Sequence, residues 1–307
     1  MKKKRSKRGD NVPGGVKLGA KTTLVGYSFI LPNFIGFTLF ILIPVLFSFV
    51  LSFCKWDGFN AMQFVGLKNF SSIFNDRVFK SSFWKTINYT IFTVLFTMLM
   101  ALFLSVVLNN KLKGRNVFRS AIFFPYVASI VAVGAVWQAM FQKDFGPINS
   151  FLRAIGVSNP PGWLASTKWA MTALIIVSIW KFMGYYMIIY LAALQDIPAQ
   201  LYEAATIDGA NSWQKFLKIT FPMLTPSTFF VFIMLTINSF KVFDLVYVMT
   251  EGGPGTATTV LVKYIYDQSF IAWNYGKASA ASMILFLVVG VVTVIQFRAE
   301  KKWTSFM

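Results

Sequence analysis

The chain has 307 residues, 56% hydrophobic and only 13% charged, with a mean hydropathy of +0.61; soluble domains carry roughly a quarter charged residues, so a soluble globular fold is excluded. The net charge of +18 would suit nucleic acid in a soluble protein. Here the basic residues flank apolar runs, with no aromatic-interleaved basic groove, which favours anionic lipid and membrane orientation over nucleic acid. The absence of histidine and a single cysteine, Cys54, exclude an internal disulfide and leave little material for a metal or acid–base centre. Cys54 reads as a small apolar residue near an interface.

In chain order, residues 1–23 form a basic tail held near anionic headgroups, and residues 24–307 form a membrane domain. The apolar run after the tail is too long for a cleaved signal peptide. The first span is Leu24–Phe53, kinked at Pro32 and Pro44. A polar loop over 54–85 precedes the second span, Ile87–Leu108. A short basic turn follows, with Lys111, Lys113, Arg115 and Arg119. The third span is Ala121–Phe141, the fourth Trp169–Leu194, the fifth Thr228–Met249 and the sixth Ala278–Phe297. Each holds about the 20 apolar residues that a bilayer requires. Trp137, Trp169 and Trp303 read as interface anchors. The expected fold is therefore all-α: a polytopic membrane protein of six transmembrane helices. Lys and Arg are denser in the segments on the side of the tail, which places both termini inside.

One long segment between the fourth and fifth spans is too polar and too broken to cross. Residues 198–226 begin with Pro198, which can occupy a first helical position. Good helix formers run from Ala199 to Ile207, with Glu203 inside. Asp208-Gly209 signals a turn. Asn211 or Ser212 can cap a second helix whose Trp213, Phe216, Leu217 and Phe221 share one face. Ala204 and Ala205 leave room for the close approach of another surface, Gly209 permits a backbone conformation that other residues resist, and Glu203 offers a negative group to a basic partner. By composition alone, an interfacial amphipathic helix with no partner is the other reading.

Charges within the spans are costly and informative. Lys241 and Asp244 lie three apart, so they can pair on one helical face. Alternatively they face a water-filled route with Asn238 and Ser239 and hydrogen-bond a polar solute. Lys181 has no partner nearby in sequence. It follows Trp180, and an aromatic face beside a polar group suits a sugar; the alternative is a lysine snorkelling to the interface. Two lysines near a route would also suit an anionic sugar derivative. Tyr185 and Tyr186 either line the route or pack against a neighbouring helix.

The stretch Glu203-Ala204-Ala205-Thr206-Ile207-Asp208-Gly209-Ala210, followed by Phe216, Ile219, Pro222 and Pro226, resembles the cytoplasmic signature of ABC-importer permeases. Phe221 stands where that family usually has Leu. A second likeness, to the carbohydrate-uptake branch typified by maltose and glycerol-phosphate permeases, lies in Phe243-Asp244 and in Thr250-Glu251-Gly252-Gly253-Pro254. It continues through Tyr264-Ile265-Tyr266, Phe270, Tyr275-Gly276 and Ala278-Ser279-Ala280, and includes Leu194-Gln195-Asp196-Ile197-Pro198. The resemblance covers roughly residues 25–300.

It implies the type I importer permease fold, with a coupling loop over 195–222. It further implies a bacterial cytoplasmic-membrane subunit that forms half of a translocation pathway. Glu203, Ala204, Ala205, Asp208 and Gly209 would then couple to a separate ATPase. The implied partners are a second homologous permease, two ATPase subunits that use ATP and Mg, and an extracytoplasmic solute-binding protein; this chain would bind no cofactor of its own. In relatives, solute contacts come from around the fourth and fifth spans, which by position points to Ser178, Lys181, Asn238 and Ser239.

No G-x-x-x-x-G-K-[ST] phosphate loop occurs, and no catalytic carboxylate pair or nucleophile–base set appears in the spans, so the chain is not expected to be an enzyme. A self-contained secondary transporter would need internal repeats and its own ion site, and a membrane transferase would need clustered acids. Neither is legible.

Overall fold

The computed structural model describes residues 20–110 and 112–304, with side chains over 24–110 and 112–300. Most of the expected basic tail, Lys111, and the side chains of Lys301, Lys302 and Trp303 lie outside the described residues. The chain divides into two compact units, one up to Val50 and one from Leu51 onward.

In the first unit, α1 (Ala20–Phe37) passes through a π-helical turn, Thr38–Leu42, into α2 (Ile43–Leu51). Pro32 is accommodated inside α1. The expected disturbance near Pro44 takes the form of that π turn rather than a sharp kink. A proline lacks the N–H that an earlier carbonyl needs, and a wider turn redistributes the bonding.

The second unit opens with a two-stranded antiparallel ribbon, β1 (Cys54–Lys55) and β2 (Gln63–Phe64), which pairs Cys54 with Phe64. Cys54 is buried. Asp57 ties the intervening turn, its carboxyl lowered to about 2 by the Asn60 backbone N–H first, then the Asn60 side chain and the Phe59 N–H. Short α3 (Lys68–Asn75) leads into the long α4 (Arg77–Asn109). Then come α5 (Arg115–Val127), α6 (Ile130–Met140), α7 (Pro147–Ala154) and α8 (Ala170–Gln195). The polar segment folds as α9 (Ala199–Ile207), α10 (Ser212–Lys215), a π turn Phe216–Thr220 and α11 (Phe221–Met223). Last are α12 (Thr225–Phe240), α13 (Asp244–Thr250), α14 (Leu261–Tyr266) with its π turn Asp267–Ile271, and α15 (Tyr275–Thr304).

Among the described residues four helices are long and apolar enough to cross a membrane: Leu24–Leu51, Arg77–Asn109, Ala170–Gln195 and Tyr275–Glu300. Two further pairs are bent, Arg115–Val127 with Ile130–Met140 by 100° and Ser212–Met223 with Thr225–Phe240 by 63°, giving six if each pair is one span. The expected third span is therefore not one straight helix. The expected fifth span also stops, at Phe240, and resumes at Asp244.

Helices α4 and α8 form the centre and run in the same direction. Tyr89 meets Ser178 near their starts, and Leu108 and Leu194 share a cluster near their ends. Small buried residues, Ala101 on α4 and Ala173 on α8, suit close packing, and Gly184 brings α8 against the backbone of α5; small residues are how membrane helices gain packing without a hydrophobic drive between them. Trp137 packs on Phe141 and Trp180 at 5.2 and 5.4 Å, beside the cluster of Leu174, Val177 and Met249.

At the end of the bundle where α4 begins, Asp76 caps that helix by accepting from the N–H groups of Val78 at 2.8 Å and Phe79 at 3.4 Å. Its other oxygen accepts from Lys277 at 2.7 Å and Tyr264 at 2.8 Å, tying α4, α14 and α15 together. Burial alone would raise this carboxyl, but the Lys277, Tyr264 and Val78 hydrogen bonds outweigh it and hold the pKa low. Since the folded value lies below the unfolded one, the contribution is full above about pH 4 and is lost as acid titrates the folded carboxylate. Asp76→Ala removes both the cap and the partner of a half-buried lysine. A loss of about 2 kcal/mol is expected, read as a lower melting temperature of the detergent-purified protein.

Candidate functional site

The polar segment is built as a rigid corner at the end where α8 finishes. Pro198 is the N-cap of α9, one position earlier than expected, with ψ 129 before the helical run. The helix closes in a Schellman motif: the Ala210 N–H reaches the Ala205 carbonyl at 2.8 Å and the Gly209 N–H reaches Thr206 at 3.1 Å. Gly209 stands at φ +76, where any side chain would be strained. Asn211 then starts α10 with a capping box, its side chain accepting from the Gln214 N–H while Gln214 accepts from the Asn211 N–H, both at 2.9 Å. Lys215 reaches Thr206 at 2.8 Å, and Tyr202 meets Thr220 at 2.8 Å, which ties α9 to α10 and to the π turn after it.

On this corner Glu203, Ala204, Asp208 and Gly209 are exposed, and Ala205 is half-buried. Ile207 is 87% exposed and Trp213 67% exposed. A carboxylate, small residues and two large apolar side chains thus share one protruding element. That composition fits a protein contact better than a solvated loop.

The second locus is a cavity of about 260 Å³ in the helix bundle. Its walls include Tyr89, Tyr126 and Tyr186, with Asn238, Ser239, Lys241 and Asp244. The break between α12 and α13 lines one side of it. Lys241 ends one helix, Asp244 opens the next, and the turn between them puts their side chains off any common helical face. They form no ion pair; the pairs among the described residues are Lys263–Asp267 and Lys277–Asp76. Irregular backbone at this depth is tolerated where it lines a cavity. Asn238 donates to the Tyr186 hydroxyl at 3.4 Å. Aromatic faces beside donors and acceptors of both charge signs can hold a polyhydroxylated solute.

The three candidates on α8 lie elsewhere. Ser178 is buried, bonded to the Tyr89 hydroxyl at 2.6 Å and the Leu174 carbonyl at 2.8 Å. Trp180 packs on Trp137. Lys181 neither snorkels nor faces the cavity. Its ammonium donates to the carbonyls of Pro125, Tyr126 and Ala128 at 3.0, 3.4 and 2.8 Å. The sequence reading misses Tyr89, Tyr126, Ile130, Phe182 and Phe243 as cavity walls. They come from five separate helices or turns; Phe243 stands in the Phe243-Asp244 likeness, which says nothing of a cavity, and for the others a tyrosine deep in an apolar run was the one available signal.

The Gly-rich loop after α13 is tied by side chains. Thr250 and Thr258 hydroxyls meet at 2.7 Å, and Thr258 and Thr259 donate to Gly253 and Gly252 carbonyls at 2.8 and 3.1 Å. Gln138 on α6 donates to the carbonyls of Val248 and Met249 at 2.8 and 3.1 Å, joining the last turn of α13 to the bent pair α5–α6.

Residues 94–304 match the model of the family described as binding-protein-dependent transport system inner membrane component. The chain is 37% identical to a probable ABC transporter permease protein, YesP, of Bacillus subtilis, over 100% of this chain and 96% of that one. It is 39% identical to the lactose transport system permease protein LacF of Rhizobium radiobacter, over 90% of this chain and 94% of the other. A solved bacterial alginate ABC transporter, in complex with an alginate pentasaccharide-bound periplasmic protein, superposes with a TM-score of 0.80 at 26% identity, covering 90% of this chain and 93% of its counterpart. Fold, membrane helices and sequence agree: the chain is a multi-pass, non-enzymatic membrane protein and belongs to the family of binding-protein-dependent transport system inner membrane components.

Proposed function

We propose that this permease forms half of the pathway of an ATP-driven saccharide importer and contacts its solute in the cavity walled by Tyr126, Tyr186, Asn238, Lys241 and Asp244. That cavity is the observation that carries the reading, since it combines aromatic faces with hydrogen-bonding groups at a break in a membrane helix. A saccharide cargo is supported by the lactose permease among the relatives and the alginate transporter among the structures. A second permease completes the pathway. The corner at 195–222 docks on one of two ATPase subunits, through Glu203, Ala204, Ala205, Asp208 and Gly209. Those subunits use ATP and Mg. Both termini, including the basic tail of residues 1–23, face the cytoplasm, and the loops around β1, β2 and Thr250–Gly255 meet an extracytoplasmic solute-binding protein. ATP-driven closure of the ATPases supplies the differential energy that shifts the bundle between inward-open and outward-open states.

The test is uptake into proteoliposomes holding the whole complex, with labelled lactose, maltotriose and an alginate trisaccharide as probes. At least one is taken up only with ATP and the binding protein. Asn238→Ala and Tyr126→Ala each raise its apparent KM about tenfold, the loss of one good contact. Uptake of none of the three, or parent-like KM in both variants, rejects the cavity as the solute contact.

A further inference from the structure

Lys181 is 5% exposed on the central helix α8, has no carboxylate in an ion pair among the described residues, and does not line the cavity. A buried ammonium without a counterion is costly unless other groups replace its hydration. Here carbonyl oxygens replace it. Helix α5 ends at Val127, and its final carbonyls lack intrahelical partners. Phe124 is satisfied by the Ala128 N–H at 3.1 Å. Pro125, Tyr126 and Ala128 are satisfied by Lys181 from the neighbouring helix. A cation is also electrostatically favoured at a helix C-terminus.

The close approach of α8 makes this reach possible. One turn beyond Lys181, on the same face, a Cβ on Gly184 would stand 2.0 Å from the Ile122 carbonyl oxygen and 2.9 Å from the Phe123 Cα. Backbone lies almost on backbone there, so Lys181 meets the end of α5 where the chain turns by 100° into α6. Of the residues it grips, Tyr126 is itself a cavity wall, and Ala128 lies two residues before another, Ile130. Tyr126 is further held by stacking on Tyr185, centroids 4.4 Å apart and rings inclined 15°.

We infer that Lys181 is a positioning residue for transport: its ammonium clamps the open carbonyls of the α5–α6 break and so sets the wall that Tyr126 and Ile130 present to the solute. The link to solute rests on the cavity reading above; the clamp itself does not. Loss of the clamp frees α6 to swing about residues 128–129 and blurs the cavity, without touching the ATPase-facing corner.

Two readouts on the whole complex separate these statements. The first is the distance between spin labels on Val117→Cys in α5 and Val136→Cys in α6, both exposed, in a Cys54→Ser background. Lys181 and Lys181→Arg give one narrow distribution, Lys181→Met a broad or shifted one, and Lys181→Gln, which keeps a donor, an intermediate one. The second is uptake of the same three saccharides. Lys181→Met raises apparent KM about tenfold while ATP turnover stays within about twofold, and Lys181→Arg restores KM. An unchanged distance distribution in Lys181→Met overturns the clamp. A broadened distribution with unchanged KM, where Asn238→Ala does raise KM, overturns its role in transport. If neither variant alters KM, the cavity reading falls, and the distances alone decide the clamp. Should Lys181→Met fail to assemble, Lys181→Gln and Lys181→Arg carry the same comparison.

Discussion

Glu203→Lys is expected to reduce ATP-driven uptake about a hundredfold or more, the scale on which reversing a paired interface charge acts. The residue is exposed in the middle of α9, and Lys is as good a helix former as Glu, so the helix itself should not suffer. The loss must then arise at the contact with a basic partner. The measurement is uptake in proteoliposomes, beside copurification of the ATPase and its turnover. Lost uptake with weakened ATPase association, or with ATP turnover no longer stimulated by the loaded binding protein, supports the coupling role. Parent-like uptake with the ATPase still bound would reject Glu203 as a coupling residue. Glu203→Gln, which removes the charge but keeps the shape, should fall between.

Gly184→Val is expected to be severely damaging to the bundle. The atoms its side chain would meet, the carbonyl oxygen and carbon of Ile122 at 2.0 and 2.7 Å and the Phe123 Cα at 2.9 Å, are backbone and cannot rotate away. Helices α5 and α8 must separate, at a cost of about 3 kcal/mol or more, the upper end of overpacking effects. Separation also pulls Tyr126 from Tyr185 and Lys181 from its carbonyls, so transport should fall with stability. Gly290→Ala is the control: nothing lies within 4 Å of a Cβ there, and alanine in a helix interior should be neutral or slightly stabilising. Thermal unfolding of the two variants in detergent decides the matter. A Gly184→Val protein as stable as Gly290→Ala would show that the helices can part at no cost.

The contrast between α9 and α8 shows where reading from residues succeeds. Helix α9 was legible to within one residue, the run Ala199 to Ile207 with Pro198 as its cap rather than its first residue, because its signals are local: a proline at its start, a glycine after it at φ +76, and an asparagine that caps the next helix. Local rules need no knowledge of what packs outside. The apolar spans were legible for the same reason, since length and composition are properties of a segment.

Lys181 and the broken spans were not. In α8 nearly every residue is apolar, so no periodicity marks which face looks inward. Whether its lysine faces a cavity, lipid or a helix end depends on what lies across from it. The break after Val127 adjoins Pro125, yet a 100° turn persists there because a side chain from a helix more than fifty residues away satisfies the freed carbonyls. The break at 241–243 likewise undid the expected Lys241–Asp244 pairing, since a spacing of three joins two side chains only while the helix continues. Segment length, apolarity and capping chemistry are thus carried by the chain itself. The facing of each helix and the positions of its breaks are settled by tertiary partners, because inside a membrane an open carbonyl takes whichever donor the packing brings within reach.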